Sequence, residues 1–123
     1  MSEDQQSNMS HSDLVFTRLK QPIDIFNQFD IEKANLVHLV LGLVGEAGEL
    51  LDAIKKNYAY NKRLDIENVK EELGDIEFYL EGLRQHLGFT REEILEHNLN
   101  KLLIRYRQGY TDHEASNRRD KNG

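Results

Sequence analysis

Cysteine and tryptophan are absent from this chain, and proline occurs once, at Pro22. Without cysteine there are neither disulfides nor thiolate metal sites. Neither a charged-then-apolar start nor an apolar run of about 18 residues is present, so no secretory signal or membrane span is read, and a cytoplasmic location is expected. Bases are the minority charge, with 16 Lys and Arg against 22 Asp and Glu for a net charge of −6. That balance disfavours binding to a phosphate backbone, which needs clustered Lys and Arg, so nucleic acid is not expected as a partner. An anionic small molecule remains compatible with the acidity if a divalent ion stands between it and the acids.

With 123 residues the chain has the length of one domain. Residues 1–11 are polar and lack an apolar repeat, so they read as a disordered leader. Residues 12–109 form the expected domain, and 110–123 a polar tail. A first helical stretch runs through Leu14, Phe16 and Leu19, breaks near Pro22, and resumes with Ile23, Phe26 and Phe29. A second begins near Ile31 and carries Leu36, Leu39, Val40, Leu43, Leu50 and Ile54 as one stripe, ending around Lys56. A basic, aromatic loop, Asn57 to Leu64, follows. Asp65 is the expected N-cap of a third helix, along which Ile66, Val69, Leu73, Ile76, Leu80, Leu83 and Leu87 alternate steps of three and four until Gly88. Thr90 and Glu93 form a capping box for a fourth, with Ile94, Leu95, Leu99, Leu102 and Tyr106 expected inward. Four amphipathic helices and no strand pattern predict an all-α, antiparallel four-helix bundle.

Two acid pairs stand out on that frame. Glu46-Ala-Gly-Glu49 and Glu72-Leu-Gly-Asp75 each place two carboxylates on one helix face, at the border of an apolar stripe. If the two helices pack side by side, four carboxylates crowd together, and a divalent ion relieves their repulsion. An oxygen-only set suits Mg²⁺, with Mn²⁺ as the alternative. Redox di-iron chemistry is disfavoured because such bundles use Glu-x-x-His pairs, and neither motif has a histidine three residues on. Gly42, Gly45, Gly48 and Gly74 each cost a helix interior about 1 kcal/mol relative to alanine. Close approach of a neighbouring helix, a hydrated ion or a phosphate is the expected compensation. Glu92, Glu93 and Glu96 read as solvated acids.

The segment Gly42-Leu-Val-Gly-Glu-Ala-Gly-Glu-Leu-Leu-Asp-Ala-Ile-Lys-Lys56, followed by Glu71-Glu-Leu-Gly-Asp75, resembles the MazG-like branch of the all-α nucleoside triphosphate pyrophosphohydrolases. Asn98, Asn100, Lys101, Arg105, Tyr106 and Gly109 extend the likeness, which covers roughly residues 34 to 118. The resemblance implies a bundle of MazG-like type and Mg²⁺-dependent cleavage of a (d)NTP to the monophosphate and pyrophosphate, for clearing or remodelling the nucleotide pool. It implies Glu46, Glu49, Glu72 and Asp75 as metal ligands, and a homodimer or homotetramer in which neighbouring subunits complete the bundle. Glu77-Phe78 departs from the aliphatic residue and tryptophan that relatives often carry.

Among these acids Glu49, and after it Glu46, is the preferred proton acceptor. Lys55 and Lys56 on the second helix and Lys101 and Arg105 on the fourth are expected to hold the phosphates. Tyr79, one turn past Asp75, and His38, two turns before Glu46, are candidate base or sugar contacts, and Asn98, from the stretch that carries the resemblance, is a candidate substrate-binding residue. Asp52 is either an outer partner of Glu49 or solvated. Competing readings are an alarmone or phosphoribosyl-ATP pyrophosphohydrolase, and a helical interaction module without catalysis.

Overall fold

The structure, a computed structural model, describes residues 8–107. Every regular element is helical: α1 His11–Arg18, α2 Pro22–Gln28, α3 Ile31–Tyr60, α4 Ile66–Leu87 and α5 Arg91–Arg105. The fold is all-α, as the patterning predicts. Residues 1–7 and 108–123, which hold most of the expected leader and all of the expected tail, lie outside the described residues.

The chain divides into two compact units, residues 1–34 and 35–123. In the first, the broken helix resolves into α1 and α2. Ser10 and His11, read as the end of the leader, here cap and open α1, with the Ser10 hydroxyl accepting from the Asp13 N–H at 3.1 Å. Pro22 does not kink a helix but starts one, since its missing N–H is unneeded at a first helical position.

In the second unit α3 and α4 form an antiparallel hairpin. Asn35 meets His86 at 2.9 Å (Nδ2 to Nδ1), Leu39 lies against Gly82, Gly42 lies under the Tyr79 ring, and Glu46 comes beside Asp75. Each step up α3 is thus a step down α4. Helix α4 begins and ends where its sequence predicts, with the Asp65 carboxylate accepting from the Asn68 N–H at 3.1 Å and Gly88 left-handed at φ 78°. Helix α3 runs to Tyr60, four residues beyond the expected end. It stops where Asn61 turns left-handed at φ 51° and the Lys62 N–H folds back on the Lys56 carbonyl. The Thr90–Glu93 capping box is present and opens α5.

A Cβ at Gly42 would fall inside the Tyr79 ring, so this glycine exists to let α4 approach. At Gly45, Gly48 and Gly74 a Cβ would meet, among the described residues, no atom within 4 Å beyond its own stretch of helix, so packing between these residues does not account for them. Gly42→Ala is accordingly expected to lower stability by about 1–3 kcal/mol through overpacking. Gly74→Ala gains up to about 1 kcal/mol from helix propensity. Urea unfolding of the two variants checks the opposite signs.

Ala53, 5% exposed, is the one hydrophobic residue buried among the described residues. The inward face expected on α5 is not covered: Ile94, Leu95, Leu99 and Leu102 stay exposed. Of the residues expected inward only Tyr106, the C-cap, is half-buried, and within α5 the half-buried residues are Lys101 and Arg105, whose guanidinium lies 5.8 Å from the Tyr106 ring centroid. Periodicity identifies an apolar face but not what covers it.

Candidate metal centre

Glu46 projects from α3 toward the point on α4 where Glu72 and Asp75 stand one turn apart. One carboxylate oxygen from each of the three lies within 4.8 Å of the others. Glu46 and Glu72 are half-buried and Asp75 is exposed, so the cluster stands at the surface of the hairpin. The Glu72 Oε2 atom is buried, and with the acids ionised no hydrogen-bond donor reaches it among the described residues. Buried polar atoms are rarely left so, and an orphan of this kind marks a missing ligand, ion or water.

Glu72 shows the electrostatic consequence of the crowding. Its pKa is raised to about 7, first by a hydrogen bond with Glu46, which requires a shared proton, and then by desolvation and by the charges of Glu46, Asp75 and Glu49. The metal-free fold therefore favours protonated Glu72. Between pH 4.5 and about 7 the folded chain binds more protons than the unfolded chain, so this contribution to stability is complete below that window and is lost as pH rises through it. Thermal unfolding in chelator should show a midpoint falling across that range, and Glu72→Gln should flatten the slope.

Glu49 stands outside the three-carboxylate cluster. It is exposed, yet near enough for its charge to act on Glu72. Of the four expected acids, three converge and the fourth flanks them. Tyr79 is half-buried, with its ring over Gly42 and edge-on to Phe78 at 5.2 Å between centroids. Lys56 pairs with Asp52 at 3.4 Å, giving Asp52 a partner one turn along rather than Glu49. Lys55 and His38 are exposed on α3, and Asn98 is exposed on α5. The structure does not bring these three into the carboxylate cluster.

Sequence reasoning passed over Arg84, the one charged residue buried among the described residues. Its guanidinium donates to Glu81 at 2.8 Å and to Glu77 at 3.4 Å, and Glu81 is held below the usual carboxylate range by that bond. Acids seven and three residues before an arginine on one helix were the available signal. Leu80, Leu83, Leu87, Phe89, Ile94 and Leu95 join Arg84 and Glu77 around a groove of about 350 Å³ between α4 and α5.

The donor set passes a simple test of fit. All three ligating groups are carboxylates, the orphaned Glu72 oxygen lies among them, and no softer donor is present, which matches a hard divalent cation. A helical hairpin that gathers such a cluster defines a class: all-α proteins built around acids suited to a divalent ion. The MazG nucleotide pyrophosphohydrolase domain matches residues 35–109, which contain α3 from residue 35 onward and all of α4 and α5. The chain belongs to that family. It is 31% identical over 87 residues to the Gene 37 protein of Mycobacterium phage L5, an alignment that covers 68% of this chain and 76% of the relative. No solved structure matches. Among the described residues no helix is long and apolar enough to cross a membrane.

Proposed function

We propose that the protein is a Mg²⁺-dependent nucleoside triphosphate pyrophosphohydrolase that converts a (d)NTP to the monophosphate and pyrophosphate and acts in the cytoplasm on the nucleotide pool. The observation that carries this reading is the orphaned Glu72 oxygen inside the Glu46, Glu72 and Asp75 cluster. The family match supplies the substrate class.

Glu46, Glu72 and Asp75 would hold Mg²⁺, or Mn²⁺ in its place. When bound, such an ion neutralises phosphate charge and lowers the pKa of a coordinated water. Holding it requires the proton on Glu72 to leave, so loading strengthens as pH rises toward 7 and beyond. Glu49, exposed beside the cluster, is free to accept the proton of the attacking water, with Glu46 as the weaker candidate for that role. The open space at Gly45, Gly48 and Gly74 leaves room for bulk near the acids. As the cationic groups on α3 and α5, Lys55, Lys56, Lys101 and Arg105 are assigned to the phosphates, His38 and Tyr79 to base or sugar contacts, and Asn98 to substrate binding.

A homodimer or homotetramer belongs to the same reading. Its support is the apolar surface the single chain leaves uncovered, including the α5 face from Ile94 to Leu102.

Purified protein with Mg²⁺ and a panel of (d)NTPs and alarmones tests the activity. Pyrophosphate and nucleoside monophosphate in equal amounts from a (d)NTP are expected. Orthophosphate release, or no turnover of any (d)NTP, would contradict the proposal.

A further inference from the structure

The acid cluster occupies only part of the hairpin. Asn35 with His86, Gly42 with Tyr79 and Glu46 with Asp75 share one antiparallel register. Continued toward the turn, it brings Lys56 level with Asp65, the cap of α4. The last turn of α3, Asn57 to Tyr60, therefore projects beyond the start of α4. On it Tyr60 follows Glu49 by three helical turns and shares with Lys56 the face of α3 that carries Glu46 and Glu49. At about 1.5 Å per residue, Tyr60 stands about 16 Å beyond Glu49 and about 21 Å beyond Glu46. Its side chain is open, at 62% exposure.

Behind Tyr60 the loop is locked. Asn61 is left-handed, the Lys62 N–H donates to the Lys56 carbonyl at 3.3 Å, and the Asn57 side-chain amide donates to the Lys62 carbonyl at 2.8 Å. These bonds use only the backbone of Lys62. Lys62 and Arg63 are exposed, and among the described residues neither side chain has an ion-pair partner. Lys56, by contrast, is held by Asp52. Two unpaired cations and an exposed tyrosine thus close the face that begins at the acids. A (d)NTP with its base toward His38 and Tyr79 points its phosphates toward this turn but ends at the γ-phosphate, at Lys55 and Lys56. Only a longer phosphate chain closed by a second nucleoside reaches Tyr60.

We propose that the turn binds the second nucleoside of a dinucleoside polyphosphate, with Tyr60 stacking on its base and Lys62 and Arg63 holding the adjoining phosphates. The inference rests on the hydrolytic reading and names a further substrate class for the same acids. Stacking on an aromatic ring accepts any base, and a guanidinium binds phosphate through paired N–H bonds. The chemistry is the same anhydride cleavage. The water oxygen bonds to the phosphorus next to the first nucleoside, and its proton passes to Glu49. The bridging oxygen departs with the bonding pair, carrying the remaining phosphates and the second nucleoside. A dinucleoside tetraphosphate thus yields one nucleoside monophosphate and one nucleoside triphosphate.

Diadenosine tetraphosphate and dATP, each with Mg²⁺, test the site. Wild type should release AMP and ATP as first products from the former. Tyr60→Ala should raise its KM by about tenfold or more, the usual scale of a lost stacking contact, with kcat unchanged. Lys62→Glu with Arg63→Glu should raise it as well. Neither variant should alter KM or kcat for dATP, which a general loss of structure would lower or raise. Calorimetric binding of diadenosine tetraphosphate in Ca²⁺, an ion with the same preference for oxygen ligands, should weaken by the same factor. Hydrolysis of dATP without hydrolysis of diadenosine tetraphosphate overturns the inference and leaves the hydrolytic reading standing. An unchanged KM in both variants, or two molecules of ADP in place of AMP and ATP, overturns the site. Turnover of neither compound removes both readings.

Discussion

Asp75→Ala should lower pyrophosphate release by about 10³-fold or more while leaving the helical content unchanged. Removing one outer-shell partner of a metal typically costs about 10–100-fold in affinity or activity, and a direct ligand costs no less. Charge neutralisation and water activation are then lost together. The fold should survive because Asp75 is exposed and, among the described residues, makes no ion pair that holds the hairpin. The Asn35–His86 contact and the Gly42–Tyr79 packing lie farther along the hairpin and are untouched. Removing the Asp75 charge also withdraws one of the influences that raise Glu72, so the proton there should be released at lower pH. Metal titration, circular dichroism and steady-state kinetics on the one variant separate loss of the ion from loss of structure. Wild-type turnover would remove Asp75 from the site.

Glu49→Gln should behave differently. Glu49 flanks the cluster instead of joining it, so metal affinity should change little while turnover falls about 10²–10⁴-fold, the usual scale of a lost general base. The pH profile of kcat should lose its acidic limb along with the rate. If Glu49→Gln weakens metal binding as far as Asp75→Ala does, Glu49 is a ligand as the resemblance implies, and the proton acceptor must be sought elsewhere.

The hairpin was legible because its signals agree at every level. The unbroken apolar series from Ile66 to Leu87, the Asp65 cap and the left-handed Gly88 all describe one helix. The acid pairs were legible because three-residue spacing fixes a common face, and their convergence followed once the helices paired. What no spacing could specify is how the fourth side chain turns, and Glu49 stays outside the cluster. The end of α3 was misjudged because Tyr58 and Tyr60 look like loop aromatics, whereas the helix ends only where Asn61 adopts a left-handed backbone. The uncovered Ile94, Leu95, Leu99 and Leu102 show the same limit on α5: an amphipathic pattern promises burial without naming the surface that provides it.

The central claim is that Glu46, Glu72 and Asp75 together hold a divalent cation. Anomalous diffraction from crystals grown with Mn²⁺ tests it most directly. The account predicts a peak within about 2.5 Å of a carboxylate oxygen from each of the three residues, with the Glu72 oxygen no longer orphaned. A well-ordered, Mn²⁺-soaked site with no peak there, and Glu46 and Glu72 still sharing a proton, would contradict it.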